Sequence, residues 1–416
     1  MAIPANISVS FDFSSGATFS SGFVIGDSKN GIIGVSQLGS STVIEPTVDL
    51  TPNVYQINIT RGRNLMRDTY EAGQCIVRVL DPLSYFNPQN TASPYYGYLT
   101  PLRKLRVSAT TATTQKFLFS GYTISYDYHY PINQDTGYVD ITCSDAFRLF
   151  QTANITTVAS ATAGQDTGTR IGKILDQIQF PSSLRTISTG LSTCVADPAT
   201  TRTGLSAIKN AEFSEGMGAF YIDGAGNAVF KNRTEVVKAA GVTPIEFNQT
   251  TGIPYRNLKF AFDDKLIVNQ VNFTRVGGTT QSVSDATSVA TYFPHGSNQS
   301  ELVAETDTIV LNVAREYVAT RKDTTIRIDE MVVDLLDTAV PTDTMIGLDY
   351  FSNLRITNVQ PDGSIIVKVL QCQGLNWDIT PNKMMVTVST LEPIADGFII
   401  GNTWGYGTIG VSTMSY

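Results

Sequence analysis

Tyr122, Ile124, Tyr126, Tyr128 and Tyr130 recur at every second position, and this alternation constrains the chain more than any other feature. A period of two sends successive side chains to opposite faces, so the segment reads as a strand with these five residues on one face. Tyr55, Ile57 and Ile59 show the same period. Residues 75–80, 105–109 and 138–143 add further short apolar runs, separated by Pro, Gly and Asn. Such a set predicts a barrel or sandwich over residues 51–150.

The pattern changes after residue 150. Ile171, Ile174, Leu175 and Ile178 fall on one helical stripe, with Thr169 as the expected cap and Pro181 as the stop. A weaker helix is expected over 205–215. A hairpin follows, with strands at 220–222 and 228–230 around an Asp223-Gly224 turn. Together these predict a small α+β domain over 151–245. Strand patterns then return at 266–275, 326–333, 354–359, 365–370 and 384–391. Pro361-Asp362-Gly363-Ser364 forms a turn between two of them. Val310, Val313, Ala314, Tyr317 and Val318 form a helix face behind Asp307, the expected cap. Residues 246–395 therefore read as a second β domain with a helical insertion. The fold class is mainly β with α+β insertions, and 416 residues suit about two to four domains.

Residues 1–50 and 396–416 read as extended arms. Gly22-Phe23-Val24-Ile25-Gly26-Asp27 reappears as Gly397-Phe398-Ile399-Ile400-Gly401-Asn402, and each copy precedes an Ile-Gly-Val-Ser tetrapeptide. The two copies read either as apolar arms docking on neighbouring subunits as added strands or as two local hairpins. The first reading makes Phe23, Ile25, Phe398 and Ile400 interface candidates.

Composition narrows the function. Hydrophobic residues are 42% and charged residues 16%, so the chain buries itself well and carries little charged surface. Either a subunit hidden against partners or a β protein coated in Thr, Ser and Asn fits these values. The formal net charge of −8 argues against gripping nucleic acid through phosphates. Cys75, Cys143, Cys194 and Cys372 are too widely spaced for a zinc site or disulfide scaffold and read as buried thiols. No secretory signal and no run of about 18 apolar residues is present, so no spanning helix is expected.

Catalytic motifs are sparse. His129 and His295 are the two histidines, and neither stands in a general-base motif. Asp223, Asp263-Asp264 and Asp329-Glu330 are the carboxylates to weigh for glycoside hydrolysis, and each reads as a turn or strand residue. No cofactor, metal or catalytic residue is expected. Pro94-Tyr95-Tyr96-Gly97-Tyr98 is a dense aromatic cluster. Tyr95, Tyr96 and Tyr98 read as an interface anchor, a barrel-end plug or a sugar platform.

Ile57-Asn58-Ile59-Thr60-Arg61-Gly62-Arg63, Glu71-Ala72-Gly73, Val77-Arg78-Val79-Leu80-Asp81, Phe86-Asn87-Pro88, Ser93-Pro94-Tyr95-Tyr96-Gly97 and Pro101-Leu102-Arg103 follow one another in that order. In this order they resemble the first domain of tail-hub, or minor tail, proteins of long-tailed bacteriophages, the baseplate hub family. Ile174-Leu175-Asp176 and Gly218-Ala219-Phe220-Tyr221-Ile222-Asp223-Gly224 are similar to that family's small second domain. Gly374-Leu375-Asn376-Trp377-Asp378-Ile379-Thr380-Pro381 and Val386-Thr387-Val388 resemble its closing strands.

The resemblance implies two tail-tube-like β-barrels and a homotrimer in the virion, at the distal end of the tail. Its implied partners are a distal tail or tail tube protein, a tape-measure protein and tip or fibre proteins. DNA is expected to pass without specific binding, along a neutral to acidic channel. A receptor- or carbohydrate-binding tail adhesin is the alternative from another class. A distal tail or tube protein is the alternative within the same one.

Overall fold

The computed structural model describes residues 3–13, 17, 47–65, 68–130, 136–324 and 326–393. Fourteen strands form one large sheet. The N-terminal half supplies β1 (Asn6–Asp12), β2 (Thr47–Asp49), β3 (Val54–Asn64), β4 (Thr69–Tyr70), β5 (Gln74–Leu80), β6 (Lys104–Thr110), β7 (Gln115–His129) and β8 (Tyr138–Ser144). The C-terminal half supplies β9 (Ile245–Asn248), β10 (Asn257–Ala261), β11 (Arg327–Asp334), β12 (Asn353–Val359), β13 (Ile365–Thr380) and β14 (Lys383–Leu391).

The two halves share one strand order and differ in the direction of the last pair, β1 being antiparallel to β6 and β9 parallel to β12. The first runs β3-β5-β8-β7-β6-β1 and the second runs β10-β11-β14-β13-β12-β9. Each is built around one long strand, β7 or β13, whose first part pairs with the preceding strand and whose second part pairs with the following one. Both long strands carry a bulge where the partner changes, between Thr123 and Ser125 and between Cys372 and Gly374.

The expected picture of two barrels differs from the observed pairing. The halves merge edge to edge, because β3 pairs with residues 374–379 of β13. No closed ring of strand pairings occurs among the described residues. A single apolar core runs under both halves and includes Val9, Phe11, Ile57, Ile59, Val77, Val107, Ile141, Met331, Leu354, Trp377 and Val388. Each such side chain, fully buried, contributes on the order of 1.5–3 kcal/mol.

Three local expectations change. Residues 6–12, read from sequence as part of an arm, form β1 against β6 and bury Val9 and Phe11 completely. The glycines and serines that signalled an arm begin after this strand. The tyrosine stripe does not keep to one face, because a bulge adds a residue and reverses the alternation. Tyr122 therefore packs with the helical module, whereas Tyr126 packs against the sheet core. Two helix caps move by one to three residues: Asp166 caps Thr167–Gln177, and Thr306 caps Asp307–Ala319.

The α+β module packs around the helices Phe147–Thr152, Thr167–Gln177 and Gly204–Glu215 and the hairpin Ala219–Ile222/Ala228–Lys231. A third core, around Val271, Phe273, Val310 and Ala314, belongs to the insertion between β10 and β11.

Candidate assembly surfaces

The loop between β5 and β6 carries the tyrosine cluster. Its backbone folds into a run of turns, with the N–H groups of Ser84, Asn87, Asn90, Ser93 and Tyr96 each donating to the carbonyl three residues earlier. Asp81 anchors the run: its carboxylate accepts from Tyr85 N at 2.7 Å, Phe86 N at 3.0 Å and the Tyr130 hydroxyl at 2.8 Å. Tyr95 packs 5.4 Å from Phe13 and 5.2 Å from Phe86, and Tyr98 lies 5.8 Å from Phe13. Both rings are half-buried against the sheet core, and Tyr96 is exposed. The cluster is thus divided: Tyr95 and Tyr98 cover one end of the core, and Tyr96 alone presents an open ring. Phe23, Ile25, Phe398 and Ile400 lie outside the described residues.

The junction between the halves is a second surface, already occupied within the chain. Gly62 faces Gly374 there. A Cβ on Gly374 would lie 3.1 Å from the Arg61 carbonyl oxygen and 3.2 Å from Gly62 Cα, so any larger residue would push the two strands apart by a few tenths of an ångström. Next to them, Arg61 is buried. It donates to the Leu118 carbonyl at 3.2 Å and to Asp349 at 2.7 Å, and lies 5.0 Å above the Tyr350 ring. Burial opposes its charge, but Asp349, Tyr350, Asp223 and Asp145 more than offset this and hold the guanidinium protonated.

Asp145 is also buried, accepting from Gly73 N at 2.6 Å and Phe147 N at 2.9 Å. Burial is the dominant influence on it and pushes its carboxyl up to about 7, against those two donors and Arg61. Asp68 accepts from both Arg63 and Arg321 at 2.5 Å, tying β3 to the insertion. Sequence motifs gave no sign of this network, since its members are as far apart as Arg61 and Asp349.

The face of the sheet turned away from the core crosses the junction without a break. It presents Asn58 and Thr60 from β3, Gln74, Ile76 and Arg78 from β5, Asp140 and Thr142 from β8, Asn376 and Asp378 from β13, and Met385 and Thr387 from β14. Its cations Arg78, Lys259 and Lys383 are paired, and Asp127 of β7 lies on the same face opposite Asp140. Arg78 meets Asp140 through two 2.8 Å hydrogen bonds, Lys383 meets Asp378, and Lys259 lies 3.7 Å from Glu330.

The candidate carboxylates are tied up locally. Asp263 and Asp329 both bind Arg327, at 2.8 and 2.6 Å, and Asp223 accepts from Asn227 across its turn at 2.8 Å. Asp264 lies 3.2 Å from His295, and His129 stacks on Tyr138. The four cysteines are buried free thiols. Among the described residues no cluster of three or more His, Cys, Asp or Glu side chains could hold a metal, and no helix is long and apolar enough to cross a membrane.

This fold, two β units of matching strand order with helical decorations, is similar to that of two solved tail proteins. The 43 kDa tail protein of prophage MuSo2 from Shewanella oneidensis matches with a TM-score of 0.50 at 10% identity, over 84% of this chain and 95% of that one. The tail protein from Neisseria meningitidis MC58 matches with a TM-score of 0.51 at 9% identity, over 82% of this chain and 92% of that one. No protein-family model and no curated protein matches the sequence.

Proposed function

We propose that this chain is a structural virion protein, a tail-tip hub subunit without enzymatic activity. Three copies form a ring that closes the distal end of a phage tail tube and opens for DNA passage. The observation that carries this reading is the repeated strand order, β3-β5-β8-β7-β6-β1 and β10-β11-β14-β13-β12-β9. A chain holding the same unit twice gives a trimer six similar units, which matches a six-fold tube. In this reading residues 51–150, with β1 and β2 added at their edge, and residues 246–395 are the two tube-like units, and the rest of 1–50 and residues 396–416 are arms. Residues 151–245 form the decoration that meets neighbouring tip or fibre proteins. The fold shared with the two tail proteins supports the assignment to a tail.

The polar sheet face suits the channel wall. Its Arg78, Lys259 and Lys383 are matched by carboxylates and Asp127 adds a further negative charge, so a phosphate backbone meets no field of fixed cations. Light scattering on the purified chain tests the reading. A mass of three chains supports it, and a stable hexamer favours a tube or distal tail protein instead.

A further inference from the structure

The repeat leaves each unit with one half of the same junction. Matching the two ladders by register, Thr123 opposite Cys143 corresponds to Cys372 opposite Thr390 across the equivalent bulges. Tyr126, Tyr128 and Tyr130 then occupy the places of Leu375, Trp377 and Ile379. In the same way, Ile57 opposite Val77 corresponds to Leu258 opposite Met331, so Leu258 and Phe260 occupy the places of Ile57 and Ile59. Inside the chain the first set of places pairs with the second: Trp377 sits opposite Ile59 and Ile379 opposite Ile57. The equivalent edges, residues 125–130 of the first unit and β10 of the second, have no strand on their far side among the described residues.

Side-chain exposure marks the same two edges. Tyr128 is 37% exposed, Tyr130 36%, Phe260 37% and Phe262 68%, whereas Trp377, Ile379, Ile57 and Ile59 at the internal junction are at most 3% exposed. Four large apolar side chains at two open strand edges, with the buried version of the same arrangement elsewhere in the chain, call for a second copy.

We propose that residues 125–130 of one copy pair antiparallel with residues 257–262 of the next copy, in the register of the internal junction. Tyr128 then faces Phe260, Tyr130 faces Leu258 and Asp127 faces Ala261. The two edges differ, so the contact is heterologous: it runs head to tail and either closes into a ring or grows as a filament. The inference rests on the ring proposed above and adds which strands close it. The internal β3–β13 ladder and the intersubunit ladder alternate around the wall.

Cysteine cross-linking of the full chain tests the register. Cross-strand neighbours lie about 4.5–5.5 Å apart between Cα atoms, within the roughly 4.4–6.8 Å span of a disulfide. Asp127 and Ala261 are on the face turned away from the core, where an oxidant reaches them. Mixing Asp127→Cys chains with Ala261→Cys chains should give a covalent pair containing one of each. The doubly substituted chain should give a ladder of products ending at three chains. Asp127→Cys with Lys259→Cys, offset by two residues, should link no more than the unsubstituted protein. A trimer by light scattering with no link above that control overturns the edge assignment and leaves the ring reading standing. A monomer at every concentration overturns both.

Discussion

Asp145 makes the most quantitative prediction. Its carboxyl is buried beside the junction, and burial raises it from 3.8 to about 7. A carboxyl raised on folding binds a proton more tightly in the native state than in the unfolded chain. Its stabilising contribution is therefore fully present below about pH 4 and is lost as pH rises through about 7. One pH unit in that window is worth about 1.4 kcal/mol, so between pH 5 and pH 7 the group removes roughly 3 kcal/mol and little more above that. Asp145→Asn cannot ionise; Gly73 N and Phe147 N donate to different oxygens of Asp145, so the single amide oxygen keeps one of the two bonds, and the pH dependence of each protein rather than its absolute stability is compared. Urea denaturation at pH 5 and at pH 8 should show the variant gaining roughly 3 kcal/mol relative to the unsubstituted chain over that change. Tryptophan fluorescence is a suitable signal, because Trp377 is buried in the same sheet. Parallel pH dependence of the two proteins would refute the reasoning, since it would mean that Asp145 stays ionised with Arg61 throughout.

Other substitutions test the surfaces. Arg61→Leu should destabilise the fold by about 1–3 kcal/mol in the same assay, because it leaves the buried Leu118 carbonyl without its donor and the part-exposed Asp349 without its cation. Tyr95→Ala should cost about 2 kcal/mol and Tyr96→Ala less than about 0.5 kcal/mol by thermal denaturation, as one ring is packed and the other open. Phe260→Ser should leave the monomer's melting temperature nearly unchanged and weaken the trimer in sedimentation, because an edge side chain packs mainly in the assembly. Asp140→Asn with Asp378→Asn unpairs Arg78 and Lys383, so the variant should retain DNA on a filter at low salt and release it as salt rises, whereas the unsubstituted protein retains none.

The strands were legible because one face of each is buried, which forces a period of two: Ile57 and Ile59, or Val386 and Val388, announce themselves. The helix Asp307–Ala319 was legible from its apolar stripe for the same reason. The bulges were not, since a single extra residue leaves local composition unchanged while reversing the face of every later side chain. That reversal separated Tyr122 from Tyr126. Nor could sequence show that β3 continues the ladder of β13, because the pairing links residues more than 300 positions apart and brings together two glycines that look like ordinary punctuation. The cluster at Tyr95 was visible as aromatic density, but its division into packed and open rings depends on Phe13 and Phe86. The aromatic edges at Tyr128 and Phe260 were missed as sites because only the repeat of strand order relates them. In sequence, each is half of an alternation.

Electron microscopy of the isolated assembly, and of tails that contain it, tests the central claim most directly. The account predicts a closed ring of three chains at the distal end of the tube, with six similar β units around its wall and strand pairing continuous across every boundary. A ring of six chains, or a location on the side of the tail as a peripheral fibre, would contradict it.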